Sequence, residues 1–129
     1  MLPQAHKLSR SADFRRVMRK GTRAGAKTVV VHLSARTDTA FTGGPRFGLV
    51  VSKQVGNAVT RHAVSRKLRH VCARVGVDKL EPSHDVVVRA LPASADATSA
   101  DLERDILAAL DKALRKAPGK VPGAAAPRA

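Results

Sequence analysis

Aromatic residues are nearly missing from this 129-residue chain, which has three Phe, no Tyr and no Trp. Its core must therefore be aliphatic. At 43% apolar residues the composition is sufficient to fold one domain of this length. Cysteine is equally scarce. A single Cys72 excludes both a disulfide framework and a Cys-rich metal centre. No run of about 18 apolar residues is available to span a bilayer. The first residues, MLPQAHKLSR, lack the apolar segment of a secretory signal. A cytoplasmic protein without membrane association is expected.

The most informative shortage is of negative charge. No Asp or Glu occurs between Asp38 and Asp78. Residues 1–77 hold 16 Lys and Arg against two acids, Asp13 and Asp38. Residues 78–129 hold eight basic and eight acidic residues, so the whole net charge of +14 sits in the first three-fifths of the chain. A one-sided field of this kind concentrates and orients a polyanion. The same shortage argues against a free-standing nuclease, because two-metal phosphodiester cleavage needs clustered carboxylates. The five histidines (His6, His32, His62, His70 and His84) form no HExxH or paired Cys/His pattern. Ser52 has no base and orienting acid near it in sequence, so nucleophilic catalysis has no support.

What is present reads as alternating elements. Residues 1–8 read as extended. Ser9 or Ser11 can cap a first helix, with Asp13 in its first turn, a stripe of Phe14, Val17 and Met18, and Gly21 at its end. KTVVVHLSA, from Lys27, is a β-branched strand. Residues 37–45 form a loop, and RFGLVVS, from Arg46, is a second long strand antiparallel to the first. A basic helix runs from about Asn57 to Arg74 and stops at Gly76. DVVVRA, from Asp85, is a further strand. A last helix from Thr98 to Lys116 turns Leu102, Ile106, Leu107, Leu110 and Leu114 to the core. The order is helix, two or three strands, helix, strand, helix; written with three as αβββαβα, it predicts an α+β fold, a two-layer sandwich with helices packed largely on one face of a sheet. Residues 1–116 form one domain, and the Pro- and Gly-rich residues 117–129 read as a disordered tail.

The stretch Ser52 to His70, SKQVGNAVTRHAVSRKLRH, carries the function. On a helical wheel Val64, Leu68, Val71, Cys72 and Val75 fall within about 100° of arc. His62, Arg66, Arg69, His70 and Arg74 occupy about 140° on the other side. One side should be buried and the other offered as a cationic plate, with Lys67 on its flank. Arg61 lies in line with the apolar stripe but one turn ahead of it, and should project beyond the core edge toward a ligand. Gly56 permits a tight strand-to-helix turn, Asn57 caps the helix, and Lys53 sits beside the first-turn N–H groups that can hold a phosphate. Basic helix faces are commonly just solvated, but such faces usually mix in Glu and Asp. This one has none. Cys72, on the apolar stripe, reads as a buried structural thiol.

The block RFGLVVSKQVGNAVTRHAVSRKLRH, Arg46 to His70, resembles the protein subunit of bacterial ribonuclease P. That family has a strand ending in Ser-Lys, then Gly-Asn-Ala-Val, then an Arg-rich helix. DFRRVMRKG before the strands and DVVVRA after the helix agree in order, and the resemblance covers about residues 7–116. It implies a mixed central sheet with a left-handed βαβ crossover. It also implies catalysis by an RNA subunit that carries magnesium, and removal of the 5′ leader of precursor tRNA by hydrolysis. By the same resemblance, Lys53, Gly56, Asn57, Arg61, His62, Arg66, Lys67, Arg69 and His70 face the RNA subunit. Phe14, Met18, Val29 and His32 line a leader-binding cleft between the first helix and the sheet. No protein partner is required. The pattern departs from the family's at His62, Ala63 and Ser65, where Arg, Asn or Lys are common, and at Met18 and His32, where Phe or Tyr are common. Composition alone favours a ribosomal-type structural RNA-binding protein, small, basic and without Trp, and it is the block SKQVGNAVTRHAVSRKLRH that moves the reading to the ribonuclease P family.

Overall fold

A computed structural model describes residues 11–35, 45–76, 80 and 84–116. Helix α1 (Ser11–Lys20) leads to strands β1 (Thr22–Gly25), β2 (Val29–Ala35) and β3 (Arg46–Val50). Helix α2 (Ala58–Val71) follows and closes in a π-helical turn, Cys72–Gly76. Strand β4 (His84–Ala90), a 3₁₀ turn (Pro92–Asp96) and helix α3 (Ser99–Lys116) complete the fold.

The α+β class is that expected, and the sheet is mixed. Its spatial order is β1-β2-β4-β3. β2 pairs antiparallel with β1 and with β4, while β3 runs parallel to β4. β3 therefore does not pair with β2. Strand β4 enters between them, because two parallel neighbours need a crossover and α2 provides it. The short edge strand β1 does not figure in the sequence reading: Arg23 and Gly25 interrupt any β-branched run. The extended start (residues 1–8), the loop at 37–44 and the tail at 117–129 lie outside the described residues.

Strand side chains alternate, so the sheet has two faces. Val29, Val31, Leu33, Phe47, Val86 and Val88 point to one face and join Val64, Leu68, Val71 and Cys72 of α2 and its closing turn, and Leu102, Ile106 and Leu110 of α3, in the main core. Full burial of one such side chain contributes about 1.5–3 kcal/mol. The opposite face is covered by α1, where Val17 packs on Val87 with Phe14 and Val50 beside it. α2 and α3 thus share a face as expected, whereas α1 lies on the other. Its single stripe of three apolar residues fits the narrower contact.

The last helix is tied down at both ends. Thr98 and Asp101 cap it reciprocally: the Asp101 N–H donates to Thr98 Oγ1, and the Thr98 N–H to Asp101 Oδ2, both at 3.1 Å. Those bonds hold the Asp101 carboxyl below its usual range. Buried Asp105 accepts from the Thr28 N–H (3.1 Å) and hydroxyl (2.5 Å), fixing the β1–β2 turn. Lys112 and Lys116 donate to the Gly25 and Arg23 carbonyls, each at 2.6 Å. Leu107 is only half-buried, and Ala109 and Ala113 fill the core stripe instead.

Candidate RNA interface

The strand-to-helix junction is built by the residues that the sequence singles out. After β3 the chain turns through Ser52–Gly56, with the Val55 N–H donating to the Ser52 carbonyl (3.1 Å) and Gly56 N–H to that of Lys53 (3.2 Å). Gly56 has φ +157°, and a Cβ there would stand 3.0 Å from the Thr60 side chain. Asn57 then caps α2, its Oδ1 accepting from the Thr60 N–H at 2.9 Å. The first turn contains no acid, and the N–H groups that open a helix attract anions. Lys53 and Asn57 are exposed at this end.

Val64, Leu68 and Val71 are buried, and His62, Arg66 and His70 are exposed on the outer side of α2. Arg69 is half-buried, and its guanidinium donates to Ser65 Oγ at 2.8 Å. Ser65 thus orients a neighbouring arginine. Lys67 is engaged by the fold: its Nζ donates to the Ala97 carbonyl at 3.0 Å, joining α2 to the start of α3. Arg74 pairs with Glu103 of α3. The plate is therefore narrower than the wheel predicts, centred on His62, Arg66, Arg69 and His70. Arg61 does not stand clear of the fold. It lines an open groove with Leu49, Val51, Ala58, His62 and Ser65, and its Nε is enclosed with no hydrogen-bond partner among the described residues.

The face under α1 differs from the expected cleft in one residue and adds others. Phe14 is half-buried, Met18 is 36% exposed and His32 is 5% exposed. Val29 does not belong with them. It is fully buried in the main core on the opposite face, because odd-numbered positions of β2 point toward α3. His32 lies across from Arg23 on β1 and Val87 on β4. Arg89, two residues on from Val87, shares that face. His32 Nε2 and Arg89 Nε are both enclosed, with no hydrogen-bond partner among the described residues. Burial first, then the charges of Arg89 and Arg23, holds the His32 pKa below its ordinary value. Sequence reasoning missed Arg23 and Arg89. The signal available was the period-2 alternation through DVVVRA.

Two arginines of this region are neutralised from within. Asp85, fully buried, accepts from Arg16 of α1 (2.5 Å) and through both carboxylate oxygens from Arg46 of β3 (2.8 and 2.7 Å). Asp13 lies 3.6 Å from Arg16 and 3.7 Å from Arg46. These carboxylates are committed to guanidiniums. Among the described residues no group of three or more His, Cys, Asp or Glu side chains is placed to hold a metal ion. Cys72 is buried, and burial pushes its thiol up to about 12, outside nucleophilic use. Among the described residues no helix is long and apolar enough to cross a membrane.

Comparison with known proteins decides the family. The Ribonuclease P family model matches residues 2–114. This chain belongs to the ribonuclease P protein family. It is 57% identical over 128 residues to the ribonuclease P protein component of Corynebacterium glutamicum, covering 89% of this chain and 96% of that one. It is 58% identical over 119 residues to that of Corynebacterium diphtheriae, covering 90% and 99%. Among solved structures, the Staphylococcus aureus RNase P protein superposes with a TM-score of 0.72 at 26% identity, covering 85% of this chain and 96% of that one. The Thermotoga maritima RNase P protein superposes at 0.69 with 19% identity, covering 82% and 96%, a likeness of fold.

Proposed function

We propose that this chain is the protein subunit of a bacterial-type ribonuclease P. In this reading it binds the catalytic RNA subunit through the outer face of α2 and contacts the 5′ leader of precursor tRNA through the sheet face beneath α1. The observation that carries it is the exposed, acid-free cationic face of α2 in a chain of this family. His62, Arg66, Arg69 and His70 meet RNA phosphates, and the first turn at Lys53, Gly56 and Asn57 holds one more. Arg61 contributes from the groove along β3, and Lys67 acts by fixing α2 to the start of α3. Phe14, Met18 and His32 line the leader contact.

The hydrolytic step belongs to the RNA subunit and its magnesium ions. The described carboxylates of the basic half and the sheet, Asp13 and Asp85, are held by Arg16 and Arg46. No protein partner is required, and the complex works in the cytoplasm. A ribosomal-type structural role, open on composition alone, has no observation of its own in the fold.

The test is to mix the purified chain with its cognate RNA subunit and a precursor tRNA at low magnesium. The expected result is a mature tRNA 5′ end produced faster than by the RNA subunit alone. Cleavage by the chain without RNA would establish a protein nuclease instead, and no stimulation would reject the proposal.

A further inference from the structure

We infer that Arg23, His32 and Arg89 form a phosphate site for the single-stranded leader, and that filling it draws a proton onto His32. The inference rests on the leader reading above and deepens it.

The geometry comes from three adjacent strands. His32 is on β2, opposite Arg23 of β1 and Val87 of β4, and Arg89 is the next β4 residue on that face. Two guanidiniums therefore flank one imidazole. Among the described residues no carboxylate pairs with either guanidinium, whereas other arginines nearby are paired. Among the described side chains the charged groups are Asp13, Arg15, Arg16 and Arg19 from α1, Arg46 from β3 and Asp85 from β4. Both acids lie against Arg16 and Arg46. His32 Nε2 and Arg89 Nε, by contrast, are enclosed with no hydrogen-bond partner among the described residues. A buried polar atom without a partner costs free energy that a ligand can recover by bonding it. Phosphate suits the site chemically, since its oxygens accept from a guanidinium and from either nitrogen of a protonated imidazole.

The proton follows from the charges. In the free protein, burial and the two guanidiniums favour neutral His32. A phosphate brought between the guanidiniums reverses the local sign and favours the imidazolium. The bound state therefore carries more protons, and leader affinity rises as pH falls, by at most about tenfold per pH unit for one proton.

The experiment uses the complex reconstituted with its RNA subunit. Affinity is measured from pH 7.5 to 5.5 for a precursor tRNA and for the same tRNA without its leader, and the ratio isolates the leader. The exposed His62 and His70 on α2 are common to both measurements and drop out of the ratio. The ratio should rise several-fold toward pH 5.5. That rise should vanish in His32→Gln, and Arg23→Gln, a change at an exposed position, should lower the ratio at every pH. A ratio above one that is flat with pH, or an equal rise in His32→Gln, overturns the inference alone. A ratio of one at every pH overturns both the inference and the leader reading.

Discussion

On the outer face of α2, His62, Arg66 and His70 stand in solvent, and no carboxylate occurs anywhere in the helix. Beneath α1, the guanidiniums of Arg16 and Arg46 instead close on Asp85, which solvent does not reach. Both regions draw their cations from the same basic half of the sequence. In the first the charge is left for a partner. In the second a residue of the charge-neutral half folds back and consumes it, and the arginines clamp α1 and β3 to β4. Net charge along the chain is thus a poor measure of charge available to RNA. Availability depends on which carboxylates the sheet brings near.

The sharpest way to break this contrast is Asp85→Ala. Removing one partner of a buried ion pair typically costs 3–5 kcal/mol, or about that range. Arg16 and Arg46 are 31% and 24% exposed, so solvent reclaims part of their charge, which places the expected loss near the lower end, about 3 kcal/mol. Urea unfolding measures it. A loss below about 1 kcal/mol would mean that Asp85 is no more than a surface-type pair.

The same contrast predicts opposite outcomes for arginines of equal formal charge. Arg66→Ala should reduce the slope of log affinity for the RNA subunit against log salt by about 1, as loss of one phosphate contact does. Arg69→Ala should do the same. Arg16→Ala should leave the slope as in the parent chain and instead lower the unfolding midpoint. Equal slopes for Arg16→Ala and Arg66→Ala would erase the distinction between spent and available charge.

The two regions were also unequally legible. The face of α2 could be read from the chain because helical periodicity places Leu68 and Arg66 on opposite sides without reference to any other element. The Gly56-Asn57 start is likewise local. The face under α1 depends on which strands become neighbours. Val29 was misplaced because a strand's hydrophobic run, VVV, carries no alternation to say which valine faces which helix. Arg89 became visible only once β4 was found between β2 and β3. Lys67 and Arg74 read as available from the chain because their partners, Ala97 and Glu103, lie 30 and 29 residues further along.

A smaller effect tests the start of α2 itself. Asn57→Ala removes the acceptor for the Thr60 N–H and should cost about 1 kcal/mol. Because Asn57 is exposed, the fold should otherwise stand, and RNA affinity should drop alongside stability if the first turn is part of the interface. Unchanged affinity in a folded variant would confine that interface to Arg66, Arg69 and their neighbours further along the helix.

The smallest expected effect concerns stability of the free chain against pH, and it sits on the other side of the comparison. His32 is held neutral by burial and by Arg89 and Arg23, so its pKa in the fold lies below the ordinary 6.5 of an unfolded chain. Between those two values the unfolded chain binds more protons than the folded one, and stability rises with pH. The contribution is complete above about 6.5 and is lost as pH falls through the lowered value of the fold. Unfolding midpoints taken from pH 7.5 down to 5.5 should therefore decline less in His32→Gln than in the parent chain. The exposed His62 and His70 are common to both chains and drop out of the difference. An equal decline in the two would show that the imidazole beneath α1 finds a counter-charge there, and would remove the physical basis for treating that face as an unfilled anion site.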